Sequence, residues 1–368
     1  MTVVVAGAGM AGLVAATRLR ELGVAATVRE KGTRPGGSML LSSGVIWRHR
    51  EWDDFRRECP GGDARLQRLI WDRLDDALEW LVAAGAVPVR EETANPLTTG
   101  TRFDPAQLTR ALVQNGGVEG STPSAGGVPL DTSDAAILCS GGFAASPELV
   151  DRFVRPAARL RRRGNPWSTG DGLLHALERG AALTAGMDEF YGRNMPDAEW
   201  GEDDFVSRSQ LYGRFARIFD ETGNEFFRRE DVSWSEANVV QATAHRPEAR
   251  AYYLLDEEAV RRQVRYGTVA ELVAAAPAAA RVRLEELPFD PPPGTREAVR
   301  VVAAITHTIG GLRVDDRARV LREDGSAIDG LYAAGVDAGG VATGGYASGL
   351  AHALVLGLVA AESAAAGE

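Results

Sequence analysis

The chain has 368 residues, with 41 basic and 51 acidic side chains, a net charge of −10 and a hydrophobic fraction of 45%. A length beyond the ~250 to 300 residues that one core usually supports predicts two lobes. The acidic balance argues against a nucleic-acid partner or docking on anionic membrane, both of which need the opposite sign. The two cysteines, Cys59 and Cys139, have no metal-ligand spacing and cannot form a disulfide framework, so a reducing, cytoplasmic setting is expected. Cys139 lies in an apolar run and reads as a buried thiol, and the basic stretch 155–163 reads as a solvated helix face. The first strand begins at residue 2, so no export signal is expected. The longest apolar stretches are Ala-rich and broken by Gly, so no membrane span is expected.

In chain order, Thr2 to Ala6 is a β-branched apolar run followed without a gap by Gly7-Ala8-Gly9-Met10-Ala11-Gly12. Leu13 to Leu22 carries apolar residues at helical spacing, Gly23 stops it, Val24 to Arg29 is a second strand, and Glu30 stands at its end. This is GxGxxG inside a βαβ unit, with a carboxylate at the distance that reaches a ribose. Gly7 serves the tight turn, Gly9 the close approach of a pyrophosphate, and Gly12 the packing of helix on strand. The phosphates take the helix N-terminus, where unpaired N–H groups and the dipole favour anions. Taken alone, the unit serves NAD or FAD. A second glycine loop follows, Lys31 to Ser38 with Gly36-Gly37-Ser38, and then an apolar stretch to Trp47 with small residues at Ser42, Ser43 and Gly44.

From Glu51 to Ala84 the pattern is helical, with Leu66, Leu69, Ile70, Leu74, Leu78 and Leu81 on one stripe. Asp104-Pro105 caps a further helix, and 115–134 reads as short strands and loops. Ala135 to Cys139 is a buried strand running into Ser140-Gly141-Gly142-Phe143, and Thr169-Gly170-Asp171-Gly172 opens another helix. Composition shifts from Asp188 to about Arg300, where most of the tyrosines lie, marking an inserted lobe. The chain then returns to glycine-rich turns: His307 to Gly311, a strand-like stretch Val314 to Leu321, a hairpin turn at Asp324-Gly325, and Gly330 to Gly349, after which a last helix runs from Leu350 to Ala365.

In that order these pieces resemble the fumarate reductase and 3-ketosteroid dehydrogenase superfamily of FAD enzymes, nearly end to end. The resemblance implies an α/β fold: a discontinuous Rossmann-like FAD-binding domain of the glutathione-reductase type, residues 1–187 and 301–368, with an inserted α+β cap, 188–300. It implies non-covalent FAD held by Gly7, Gly9, Met10, Ala11, Gly12, Glu30, Lys31, Gly36, Gly37, Ser38, Ser42, Ser43, Gly44, Ser140, Gly141, Gly142, Asp171, Gly335, Gly349 and Leu350. Asp337 takes the place of the acid that holds the ribityl chain, and the helix after Gly349 points its N-terminus at the flavin pyrimidine edge.

Departures from the family speak about the substrate. The family's proton-donating arginine falls at about Ser233 and its carboxylate-clamping arginine at about Tyr346, which disfavours a dicarboxylate. Arg228 or Arg229 substitutes only if the loop register shifts. Gly345-Tyr346-Ala347-Ser348-Gly349 instead resembles the Tyr-Ala-Ser-Gly stretch of 3-ketosteroid Δ4-(5α)-dehydrogenases, where Tyr and Ser serve the substrate carbonyl and the proton step. Tyr346 and Ser348 are therefore expected at the reaction centre, with His307 near the substrate and Tyr191 or Tyr212 supplying a second phenol from the cap. The expected activity is dehydrogenation, or reverse ene-reduction, of a Cα–Cβ bond beside a ketone in an apolar, steroid-like small molecule. Two alternatives stay open: reduction of a carboxylate-bearing enoate, and a flavin-binding protein with reduced catalysis. The electron donor or acceptor is not legible.

Overall fold

The computed structural model describes residues 2–93, 95–118, 135–155, 159–264 and 267–367. The chain forms two compact units: Met1–Arg152 with Asn165–Glu189 and His307–Glu368, and Phe153–Gly164 with Phe190–Thr306.

In the first unit Thr2–Ala6 lies between Ala25–Arg29 and Ala135–Leu138, parallel to both, and Ala327–Ala333 continues the parallel order on the far side. Both faces are covered, which is why Val3, Val4 and Val5 are a buried β-branched run and not an alternation. Arg319–Leu321 closes the edge antiparallel, turning through Gly325 at φ +85. It is shorter than the expected strand from Val314, because Ala318 takes φ +59 before the pairing begins. A second, antiparallel sheet orders Val45–His49, Thr98–Phe103 and Pro88–Arg90.

Residues 51–84 form two helices, Trp52–Glu58 and Ala64–Ala83, where the periodicity suggested one run. Pro60-Gly61-Gly62 breaks them, and Asp63 restarts the second by accepting from the amides of Arg65 at 2.8 Å and Leu66 at 3.2 Å. Leu66, Ile70, Leu74 and Leu81 are buried, while Leu69 and Leu78 are half-buried and Gln67 and Ala77 fill the stripe. Asp104 caps Pro105–Gly116 by accepting from Gln107 N at 2.7 Å. The short strands expected over 115–134 lie, from residue 119 on, outside the described residues.

The last helix, Gly349–Ala366, is long and apolar enough to cross a membrane by length and composition, with mean hydropathy 1.5. It is mostly buried, resting on the helices Met10–Glu21 and Ala64–Ala83. Gly357 is where it meets the first helix: a Cβ there would stand 2.8 Å from Ala11 O.

The second unit is built on a sheet in the order Glu225–Phe227, Arg217–Phe219, Arg250–Asp256, Thr295–Thr308, Arg161–Arg162, with Phe190–Pro196 also pairing on Thr295–Thr308. Its core gathers Tyr212, Ile218, Val239, Tyr253, Leu255, Val269, Val299 and Val301. The unit differs from the expected 188–300 insert because Arg161–Arg162 pairs parallel with Ala304 and Ile305. That pairing draws 153–164 out of the first unit and corrects the reading of 155–163 as a helix face; residues 156–158 of that stretch lie outside the description.

Candidate active site

The glycines of the first turn divide by what a side chain would meet. At Gly7, φ +110, a Cβ would stand 2.3 Å from Cys139 O, and at Gly12 it would stand 1.8 Å from Gly7 O. At Gly9 it would meet nothing within 4 Å, and Gly9 caps the helix Met10–Glu21 with no side-chain hydrogen bond. The turn is thus closed against protein on two sides and open at the helix N-terminus.

The second glycine loop is tied to the first. Gly36 donates to Ala8 O at 2.7 Å, and a Cβ on Gly37 would lie 3.2 Å from Gly9 Cα. Glu30 is buried with its carboxylate turned back on this turn, accepting from Ala8 N at 2.7 Å and Gly32 N at 2.5 Å. From the far end of the sequence, Gly335 at φ +63 would bring a Cβ to 3.1 Å from Ala11 Cβ. Segments over 300 residues apart therefore share one open turn.

A second cluster surrounds Tyr346. The alternation of the strand Val45–His49 puts Trp47 and His49 on one face. The Trp47 ring lies 5.7 Å from that of Tyr346 and 5.4 Å from that of His49, edge-on to both, and His49 stacks on Phe55 at 5.5 Å. His49 is 5% exposed, and neither ring nitrogen has a hydrogen-bond partner among the described residues. Burial lowers its pKa, with Asp54 opposing. The Tyr346 amide donates to the buried Cys59 thiol, whose pKa burial pushes well up, with Glu58 and Glu189 adding to the rise. Glu189 accepts from Gly344 N at 2.7 Å, and burial raises its carboxyl. Gln67 joins the Cys59 and Val341 carbonyls at 3.0 and 2.8 Å and so fixes the Gly340 to Tyr346 loop against the helix Ala64–Ala83.

At the head of the last helix Ser348 accepts from Ala351 N at 3.3 Å and Trp47 N at 3.4 Å. Nearby, His307 Nδ1 sits 3.0 Å from Thr308 O, and its Nε2 lies 3.3 Å from where a Cβ on Gly349 would be. His352 completes the group; burial, with His307 close by, pushes its imidazole down to about 4. Neither His49 nor His352 was found from the sequence.

Residues 60–349 match the FAD binding domain family, and residues 5–43 match the NAD(P)-binding Rossmann-like domain family. The chain belongs to the FAD binding domain family. Its cofactor is FAD, and it is a flavin-dependent oxidoreductase.

Among similar curated proteins are a probable fumarate reductase Ifc3 of Shewanella frigidimarina, 22% identical over 99% of this chain and 74% of its own length, and an NADH:fumarate oxidoreductase of Klebsiella pneumoniae, 24% identical over 90% and 44%. An NADH:acrylate oxidoreductase of Vibrio harveyi is 27% identical over 67% and 28%, so the chain spans less than half of the latter two relatives. The fold is shared with a flavocytochrome c3 fumarate reductase, TM-score 0.72 at 20% identity, covering 100% of this chain and 78% of that one. It is also shared with a 3-ketosteroid Δ4-(5α)-dehydrogenase of Rhodococcus jostii, TM-score 0.66 at 18% identity, covering 99% and 96%. A 3-ketosteroid Δ1-dehydrogenase of Sterolibacterium denitrificans gives TM-score 0.73 at 16% identity over 100% of both chains.

The first turn of this flavoprotein fits a dinucleotide: the space at Gly9 and the uncapped helix start suit a pyrophosphate, and the Glu30 carboxylate lies beside them, held by Ala8 N and Gly32 N. Other residues expected at the cofactor are engaged within the protein. Asp337 is 1% exposed and faces protein: one carboxylate oxygen accepts from Ser140 N, the other from Ser140 Oγ and Gly142 N, both at 3.0 Å. Its geometry shapes the Ser140-Gly142 loop, and burial raises its carboxyl against those bonds. Lys31 and Asp171 pair with each other at 2.9 Å. Ser42 turns its hydroxyl to Met39 O, and Ser43 is exposed.

The catalytic expectations are corrected in one place and narrowed in two. Tyr212 is fully buried in the second unit, donating to Gln210 Oε1 at 2.6 Å and packing on Tyr253, and burial raises its phenol well above the ordinary value. It is a core residue. Tyr191, 9% exposed, lies under the Arg193 guanidinium at 4.8 Å. Both lone pairs of Ser348 are engaged by backbone, which makes it the helix cap.

Proposed function

We propose that the chain catalyses dehydrogenation, or reverse ene-reduction, of the Cα–Cβ bond beside a ketone in an apolar, steroid-like substrate. The observation that carries this reading is the pairing of Tyr346 with Trp47 at 5.7 Å: a phenol set in an aromatic wall, at the position where the resemblance calls for a carboxylate-clamping arginine. Arg228 and Arg229, the possible replacements for the other family arginine, are half or more exposed, or nearly so, and engaged with acids, Glu230 at 3.2 Å and Asp256 at 3.9 Å. Ser233 donates its amide to Asn238 and supplies no cation.

Bound FAD supplies the hydride acceptor or donor. Tyr346 moves the proton at the carbon next to the ketone. The ketone oxygen, on which enolate charge develops, is met by backbone N–H groups near Gly349, with His307 alongside. Trp47 and Phe55 exclude water from the ring system. Two buried free thiols, Cys59 and Cys139, support a cytoplasmic setting.

The names of the curated relatives favour a second reading, reduction of an enoate such as fumarate or acrylate. One experiment separates the two: FAD-loaded protein is assayed with 3-ketosteroids and an artificial electron acceptor, and with fumarate and a reduced dye. Turnover of ketosteroids is expected; turnover of fumarate alone overturns the proposal.

A further inference from the structure

Residues 165–168 lie across the glycine turns at the carboxyl ends of the parallel strands, the place where such a sheet takes its ligand. A Cβ on Gly37 would stand 3.2 Å from Gly9 Cα and 3.6 Å from Asn165 Nδ2, one on Gly32 would stand 2.7 Å from Trp167 Cδ1, and one on Gly141 would stand 2.8 Å from Ser168 Oγ. The segment is fixed in that position. Asn165 Oδ1 accepts from Trp167 N at 3.1 Å and so closes a turn on Pro166, while Ser168 O accepts from Ala145 N at 2.9 Å. Lys31 reaches Thr169 Oγ1 and, at 2.9 Å, Asp171.

Two groups of this turn are unused inside the protein, and both can be reached. Trp167 is 39% exposed, the one aromatic among the exposed large hydrophobics of the described residues, and its indole N–H has no hydrogen-bond partner among them. Asn165 is half-buried, and its Nδ2, unlike its Oδ1, is also without a partner among them. Their places differ in meaning. In a βαβ dinucleotide unit the pyrophosphate lies at the start of the first helix, and the adenosine runs past the end of the second strand. Asn165 Nδ2 faces the contact of Gly9 with Gly37, on the pyrophosphate side. Gly32 follows the second strand's end, and a Cβ on it would stand 3.0 Å from Trp167 Nε1 and 2.9 Å from Glu30 Oε1, so the indole borders the adenosine side.

We propose that the turn from Asn165 to Trp167 closes over the adenosine diphosphate half of FAD, with the Trp167 ring stacked on the adenine and Asn165 Nδ2 donating to the pyrophosphate. The turn gives the site what its glycines lack, an aromatic surface and a side-chain donor. It also makes the apoprotein a receptor for the nucleotide half alone.

The test uses the full-chain apoprotein and two probes: FAD, followed by flavin fluorescence, and ADP, followed by competition with FAD and by quenching of tryptophan emission, excited where ADP does not absorb. Trp167→Ala is expected to weaken FAD and ADP alike, by about tenfold. Trp167→Phe keeps a flat ring and is expected to hold both within about threefold of native, yet to remove most of the quenching by ADP. Asn165→Asp keeps the acceptor for Trp167 N but sets a negative charge beside the pyrophosphate, and is expected to weaken both probes at least tenfold. Should Trp167→Ala fail to fold, as judged by thermal unfolding of the apoprotein, Trp167→Gln serves with the same expectation. FAD binding that a folded Ala or Gln variant leaves within about twofold of native overturns the inference. So does a loss for FAD that ADP does not share, or quenching by ADP that Trp167→Phe leaves at the native size. The substrate reading rests on Tyr346 and stands or falls separately.

Discussion

Two glycines four residues or fewer apart in the first turn make opposite demands. A Cβ at Gly12 would run into the Gly7 carbonyl, while one at Gly9 would meet only the space reserved for the cofactor. Gly12→Ala is therefore expected to lower the thermal stability of the apoprotein. Gly9→Ala is expected to leave that stability within about 0.5 kcal/mol while weakening FAD binding at least tenfold. Calorimetry of the apoprotein and flavin-fluorescence titration read the two effects separately. Tyr346→Phe removes the hydroxyl assigned to the proton step and is expected to reduce kcat by about 10²- to 10⁴-fold with FAD content unchanged.

His352 gives a pH prediction. Its imidazole is held down to about 4, against an ordinary value near 6.5, so the unfolded chain binds the extra proton between those values. Its contribution to stability is complete above pH 6.5 and is lost as pH falls toward 4, by up to roughly 3 kcal/mol. Urea unfolding at pH 7 and pH 4.5 should show this loss, and His352→Leu should flatten it. At this scale the glycines were legible because their spacing encodes backbone geometry. His49, His352 and the inward turn of Asp337 were not, because a single polar residue in an apolar run carries no period, and its partners lie far away in sequence.

The last helix shows what one element both supports and requires. Ser348 caps it by accepting from Ala351 N, and also receives the amide of Trp47 from the Val45–His49 strand. Ser348→Ala should cost about 1 kcal/mol as a lost cap, measurable by denaturant unfolding, and should reduce kcat far less than Tyr346→Phe. Most elements of the first unit were readable from period and punctuation: the βαβ start, the Asp104 cap, the buried strand Ala135–Leu138 and this helix all carry their own signals. The strand Arg161–Arg162 did not. Two arginines in a basic stretch have no strand pattern, and what makes them a strand is Ala304 and Ile305, more than 140 residues later. The break at Pro60-Gly61-Gly62 carries its own helix-stopping residues, and the sequence reading ran one helical pattern across them.

For the molecule as a whole, cofactor binding acts on one of its two units. FAD that binds the folded first unit and not the unfolded chain, supplied at about 100 times its Kd, adds roughly 2.7 kcal/mol to stability. A melting transition assigned to that unit should then rise by about 5 to 10 °C, with the second unit's transition following less. Differential scanning calorimetry with and without FAD checks this.

The contact of Gly357 with Ala11 reaches further than packing. A helix near residue 357 lies directly on the one that carries the glycine turn, so the dinucleotide fold borrows part of its outer layer from chain made more than 300 residues later. At synthesis rates of roughly 5 to 20 residues per second, the N-terminal βαβ unit waits on the order of half a minute for that cover. During this wait the face of the first helix that the last helix covers stays open to solvent. Flavin binding that needs the covered turn is expected only once the last helix has been made.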